Sequence, residues 1–125
     1  MIFYSMKARL RSFGYAMNGI RLVFGKEPNM NIHLVFVVLV VVCGFIFHIS
    51  ITEWIVCALC FGLVISLEMV NSAIERLVNM VSPERQPQAG AIKDIAAGAV
   101  LVAAICAAIV GLVIFVPKGL AVLGL

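Results

Sequence analysis

The stretch WIVCALCFGLVISLEMVNSAIERLVN, residues 54–79, passes from apolar to polar with no proline to stop a helix. Trp54 to Leu67 is uncharged, but it is too short to cross a bilayer alone, which takes about 20 apolar residues. A crossing helix must therefore continue through Glu68 and Asn71, with its lower turns polar. At about 100° per residue, Glu68, Asn71, Ser72, Glu75 and Asn79 fall within an arc of about 100°. Leu67, Val70, Ile74 and Leu77 form the other face. Intramembrane acids face a bundle interior or a wet cavity and point to function. Asn71 or Ser72 alone could be hydrogen-bonding glue between helices. Two carboxylates at i and i+7 need a cation or a donor, because burying each as an anion is expensive. A hard divalent cation meets that need through carboxylate oxygens.

The rest of the chain sets the same scene. Of 125 residues, 64% are hydrophobic and 12% charged, more apolar surface than a soluble domain of this size can hide. Mean hydropathy is +1.18. The expected class is a single all-α membrane domain over residues 1–125, with spans at about 30–50, 53–80 and 92–116. Pro28 to Thr52 and Ile95 to Val116 contain no Lys, Arg, Asp or Glu. No cleavable signal layout precedes the first span. Lys7, Arg9, Arg11, Arg21 and Lys26 lie before span one, and Arg76, Arg85 and Lys93 flank the second loop. The positive-inside rule then places the N-terminus and second loop in the cytoplasm, and the first loop and C-terminus outside. That basic face suits anionic headgroups or nucleotides; no base-stacking or groove-reading pattern accompanies it, so nucleic acid is not expected.

Residues 1–26 read as an amphipathic surface helix. Met6, Leu10, Phe13, Met17, Ile20 and Phe24 recur at helical spacing, and Lys7, Arg11, Tyr15 and Asn18 take the opposite side. A bare anchor has no need of Tyr15 there. A break is expected near FGKEP, where Gly25 weakens the helix. Cys57 and Cys60 form a C-x-x-C, but at lipid depth with no second pair or nearby His, so packing is the expected role, as for Cys43 and Cys106.

Five of the six acids, Glu27, Glu68, Glu75, Glu84 and Asp94, fall at or near the cytoplasmic face. Lys93-Asp94 forms a cation–anion pair at the entry to span three. Carboxylates for Mg²⁺, a lysine for phosphate and a carboxylate base are what phosphoryl transfer requires. No Walker loop or protein-kinase signature is present, so a nucleotide site must be built another way.

GYAMNGIR (14–21), E-x-x-x-x-x-H (Glu27 to His33), E-x-x-N-S-A-I-E (Glu68 to Glu75) and AIKDIAAGAVL (91–101) together resemble the prokaryotic diacylglycerol kinases, which include the undecaprenol kinases. The likeness runs over residues 7–118 or so in the family's order, and its most specific block is 68–101. It implies a surface helix and three spans per protomer, a homotrimer with composite sites, and a bacterial inner-membrane enzyme. It also implies MgATP-dependent phosphorylation of a lipid alcohol. By this resemblance Glu68 is the base, Glu27 and Glu75 hold the metal, and Asn71 stands beside the base. Tyr15, Glu84, Lys93 and Asp94 join Glu27 and Glu75 around the nucleotide. Asn31 and His33 are candidate lipid contacts with Glu68 and Asn71. The N-x-x-I-H-L start of span one and IFVPKG (114–119) lean toward undecaprenol over diacylglycerol.

The sequence departs from the family pattern at Asn79, where an aspartate is common, at Gln86 for a histidine, and at Asn31 for a basic residue. Two other readings use the same acids: a channel or transporter subunit that binds cations, and an inactive scaffold. The first leaves Lys93, Asp94 and Tyr15 without a role.

Overall fold

Four helices make up the chain in the computed structural model, which describes residues 2–125, with side chains from Ser5 onward. They are α1 (Ile2–Val23), α2 (Pro28–Ile46), α3 (Ile51–Val81) and α4 (Pro87–Val122). The described residues contain no strand. The last three helices are long and apolar enough to cross a membrane. The architecture is all-α with three membrane helices behind an N-terminal one; residue 1 of the leader lies outside the described residues.

Each helix starts and stops for local reasons. The break at FGKEP is a turn over Phe24–Lys26, where Gly25 adopts φ 77° and the Glu27 N–H returns to the Val23 carbonyl at 3.2 Å. Such left-handed positions favour glycine because it has no Cβ. Pro28 begins α2 at a position where its missing N–H costs nothing. Glu27 occupies the N-cap, yet its carboxylate makes no cap bond and is left for other partners.

The helix of the first span ends at Ile46, short of the expected residue 50. His48 turns left-handed at φ 50°, and the Ile49 N–H donates back to the Gly44 carbonyl at 3.2 Å. Ile49 is buried, so the turn closes over an apolar side chain. Ser50 and Glu53 then form a reciprocal capping box at 3.2 and 2.9 Å that opens α3. Lys118 Nζ, 3.2 Å from Glu53 Oε2, ties the far end of α4 to this cap.

α3 has 31 residues and so measures about 46 Å, against a hydrocarbon core of about 30 Å. Its polar turns can stand at the membrane boundary without leaving the helix. α4 starts at Pro87, ahead of the expected residue 92, with proline at its start and the Gly90 N–H donating to the Gln86 carbonyl at 3.0 Å. It also continues past Pro117 to Val122.

α3 is the central helix: it packs along α4 and α2 and touches α1. The core is thickest at the end away from the polar turns of α3, where Ile49, Cys57 and Ile114 are buried against Phe47, Trp54, Phe61 and Phe115. Gly44 makes room for this packing, since a Cβ there would lie 2.5 Å from the Trp54 ring. Cys57 is buried in that cluster, as packing predicts, and the four cysteines are free. Only 28% of the apolar window of α3 is buried, and less of the other two. One chain therefore leaves most of its helix surface to lipid or to further copies of itself.

Candidate functional site

The polar stripe of α3 is buried where it is deepest. Glu68 is 3% exposed, Asn71 4% and Ser72 2%, the only buried polar side chains among the described residues. Glu75, further toward the helix end, is half-buried, and Asn79 is exposed. The five positions thus share an edge in sequence but grade from core to solvent in space, since only the deeper turns lie under α2.

α2 supplies the partners. His33 Nε2 lies 3.3 Å from Glu68 Oε2. Glu27, freed from capping, accepts the Ser72 hydroxyl's hydrogen bond and faces Arg76 Nη2 at 3.5 Å. Arg76 also donates to the Leu22 carbonyl at 3.4 Å, which fastens the end of α1 to α3. Within α3, Asn71 Nδ2 donates to Glu75 Oε1 at 3.3 Å. Glu68 and Glu75 are about 10 Å apart along the axis, so they serve different partners.

Asn71 Oδ1 is buried and has no hydrogen-bond partner. Turning the amide over would set its oxygen against the Glu75 carboxylate, so the orphan is an acceptor. Buried acceptors are rarely left without a donor or cation. Among the described residues no three His, Cys, Asp or Glu side chains converge as a ready metal cage. Mg²⁺ does not require one: it binds one or two carboxylates and completes its shell with water and substrate phosphates. The all-oxygen set of Glu27, Glu75 and Asn71 fits that chemistry.

Two spaces adjoin this line of groups. On the loop side, a cup of about 550 Å³ is lined by Asn79, Ser82, Glu84, Arg85, Gln86 and Lys93, among others. Lys93 Nζ donates to Asn79 Oδ1 across it. On the membrane side, an apolar groove of about 560 Å³ runs between α2, α3 and α4. Ala104, Ala107, Ala108 and Gly111 form its α4 wall at i, i+3, i+4, i+7 spacing, facing Phe36 and Phe61. His33 also lines the groove, so the apolar space meets the polar stripe at that residue.

The structure gathers Glu27, His33, Glu68, Asn71 and Glu75 into one run, with Glu84 and Lys93 around the cup. It does not bring Tyr15, Asn31 or Asp94 into that run: all three are exposed. Tyr15 is 74% exposed on α1, whose residues 5–18 are open on every side. Arg76 was absent from the sequence candidates. It lies about 80° around the wheel from Glu68, at the stripe's flank, and only the α1–α2 turn gives it partners.

The sequence profile of the prokaryotic diacylglycerol kinases matches residues 14–115 of this chain. The chain is 42% identical over 108 residues to the undecaprenol kinase of Bacillus subtilis, covering 86% of this chain and 88% of that protein. It is 38% identical over 109 residues to a diacylglycerol kinase of Synechocystis sp., covering 86% of this chain and 62% of that longer protein.

Proposed function

The chain belongs to the prokaryotic diacylglycerol kinase family, a family of lipid kinases, and from that premise we propose that it transfers the γ-phosphate of MgATP to undecaprenol. The observation that carries the reading is the order of groups along α3. His33, which lines the apolar groove, meets the buried Glu68; Asn71 and Glu75 follow at successive turns, and Asn79 lines the Lys93 cup one turn on.

In this reading the apolar chain stays in the groove and its hydroxyl reaches the stripe. Glu68 accepts the hydroxyl proton as the oxygen attacks the γ-phosphorus, acting as a general base. Glu27 and Glu75 would hold the metal, and Asn71 and Arg76 fix the two carboxylates in place. Bound with the nucleotide, Mg²⁺ supplies neutralisation of phosphate charge. Lys93 adds a positive charge at the cup, where Asn79 orients it without cancelling that charge. Burial of Glu68 excludes water, which favours the alcohol over hydrolysis.

The positive-inside pattern supports a cytoplasmic N-terminus and cytoplasmic cup, with the C-terminus outside. The family resemblance implies a homotrimer, for which the uncovered helix faces leave room, and in it a neighbouring protomer would complete the site around Tyr15 and Asp94. Radiolabelled ATP offered with undecaprenol and diacylglycerol tests the substrate. Label in the undecaprenyl product is the expected result. Label confined to diacylglycerol would overturn the substrate assignment, and label in no lipid would overturn the kinase reading.

A further inference from the structure

We propose that His33 is the positioning residue of the base: it holds the Glu68 carboxylate against α2 and aims its free oxygen at the lipid hydroxyl. This rests on the kinase reading above, in which Glu68 takes the hydroxyl proton.

Glu68 is 3% exposed on the side of α3 that faces α2. Among the described residues, the only cation or donor that reaches its carboxylate is His33 Nε2, 3.3 Å from Oε2. The other donors of the stripe have different partners. Asn71 Nδ2 donates to Glu75, the Ser72 hydroxyl to Glu27, Arg76 to Glu27 and Leu22, and Lys93 to Asn79. Buried polar groups are rarely left without a partner, and a single contact fixes which way such a carboxylate points. His33 Nε2, at 3.3 Å, is the polar group placed to make that contact.

The contact also has direction. It engages Oε2 and leaves Oε1 for the substrate. A base oriented by a third group is the general device by which oxygen nucleophiles are activated. His33 lines the apolar groove as well, so a lipid chain lying there approaches the carboxylate alongside the imidazole. In the step itself, the hydroxyl oxygen forms its bond to the γ-phosphorus while the bond to the bridging oxygen breaks, its electron pair leaving on ADP. The hydroxyl proton ends on Glu68.

The test measures kcat and both KM values with radiolabelled ATP and undecaprenol, or dioleoylglycerol if the wild type labels that instead. His33→Ala is expected to lower kcat by about 10²-fold with KM values changed only a few-fold, as a misaimed group costs. His33→Gln, which restores an N–H at the same reach, is expected to recover most of kcat. Added to Glu68→Gln, His33→Ala is expected to cost nothing more, since groups that act as a unit are not additive. A purely structural histidine would give a further loss in that background and would overturn the proposal. So would an unchanged kcat in His33→Ala, an effect confined to lipid KM, or a Gln variant no better than Ala. A wild type that labels no lipid alcohol sinks the kinase reading and this role together; an active wild type with a fully active His33→Ala sinks the role alone.

Discussion

Arg76 Nη2 sits 3.5 Å from Glu27 Oε1 and 3.4 Å from the Leu22 carbonyl, so one guanidinium joins α3 to both sides of the α1–α2 turn. Glu27 is thereby held facing the stripe rather than capping its own helix. The pair is well exposed on the arginine side, and such pairs contribute at most about 1 kcal/mol. Arg76→Ala should therefore lower unfolding stability in detergent by no more than about 1 kcal/mol. Glu27→Gln should instead raise the Mg²⁺ concentration for half-maximal activity by about tenfold or more. A Mg²⁺ titration of the purified variant checks this, and an unchanged curve would remove Glu27 from the metal.

Glu68 and Glu75 share a stripe but keep separate partners, His33 and Asn71. Glu68→Gln should drop kcat by about 10²- to 10⁴-fold, the range for a lost general base, with thermal unfolding unchanged. Glu75→Gln should respond to added Mg²⁺, while Glu68→Gln should not. Parallel rate measurements across Mg²⁺ concentrations separate the two; identical responses would contradict the division of roles.

Lys93 reaches across the cup to the Asn79 amide. A charged hydrogen bond to phosphate contributes about 1.5–3 kcal/mol, so Lys93→Met should raise KM for ATP by about tenfold or more. The KM for lipid should stay near its wild-type value. Initial rates with each substrate varied in turn give the answer, and a change in lipid KM alone would place Lys93 elsewhere.

Gly44 lies against Trp54 at the opposite end of the bundle. Gly44→Ala puts a methyl group 2.5 Å from the indole ring, an overpacking that typically costs about 1–3 kcal/mol. Trp54 is the only tryptophan, so its fluorescence reports the strain directly. The expected outcome is a lower unfolding midpoint and a shifted emission, with kcat retained because the stripe is remote. An unshifted midpoint would show that the Trp54 ring moves aside freely.

Much of this was legible in the chain alone. Helical periodicity and charge-free runs determined the three membrane helices, because a bilayer demands length and apolarity that are local properties of sequence. The same arithmetic placed Glu68, Asn71, Ser72 and Glu75 on one edge, since wheel angle depends only on spacing within one helix. The break at Gly25 was equally local. Helix ends were less so: α2 stops at Ile46 because Ile49 is buried across the turn, and α4 begins at Pro87, before its apolar run.

Only the tertiary structure decided which groups meet. It set His33 against Glu68, Glu27 against Ser72 and Arg76, and Lys93 against Asn79, pairings that depend on how α2 and α4 rotate and slide on α3. It also left Asn71 Oδ1 without a partner and kept Tyr15, Asn31 and Asp94 outside the run. Spacing along one helix determines a face; the contacts between helices, settled by packing around residues such as Gly44, Cys57 and Met30, determine what that face can do.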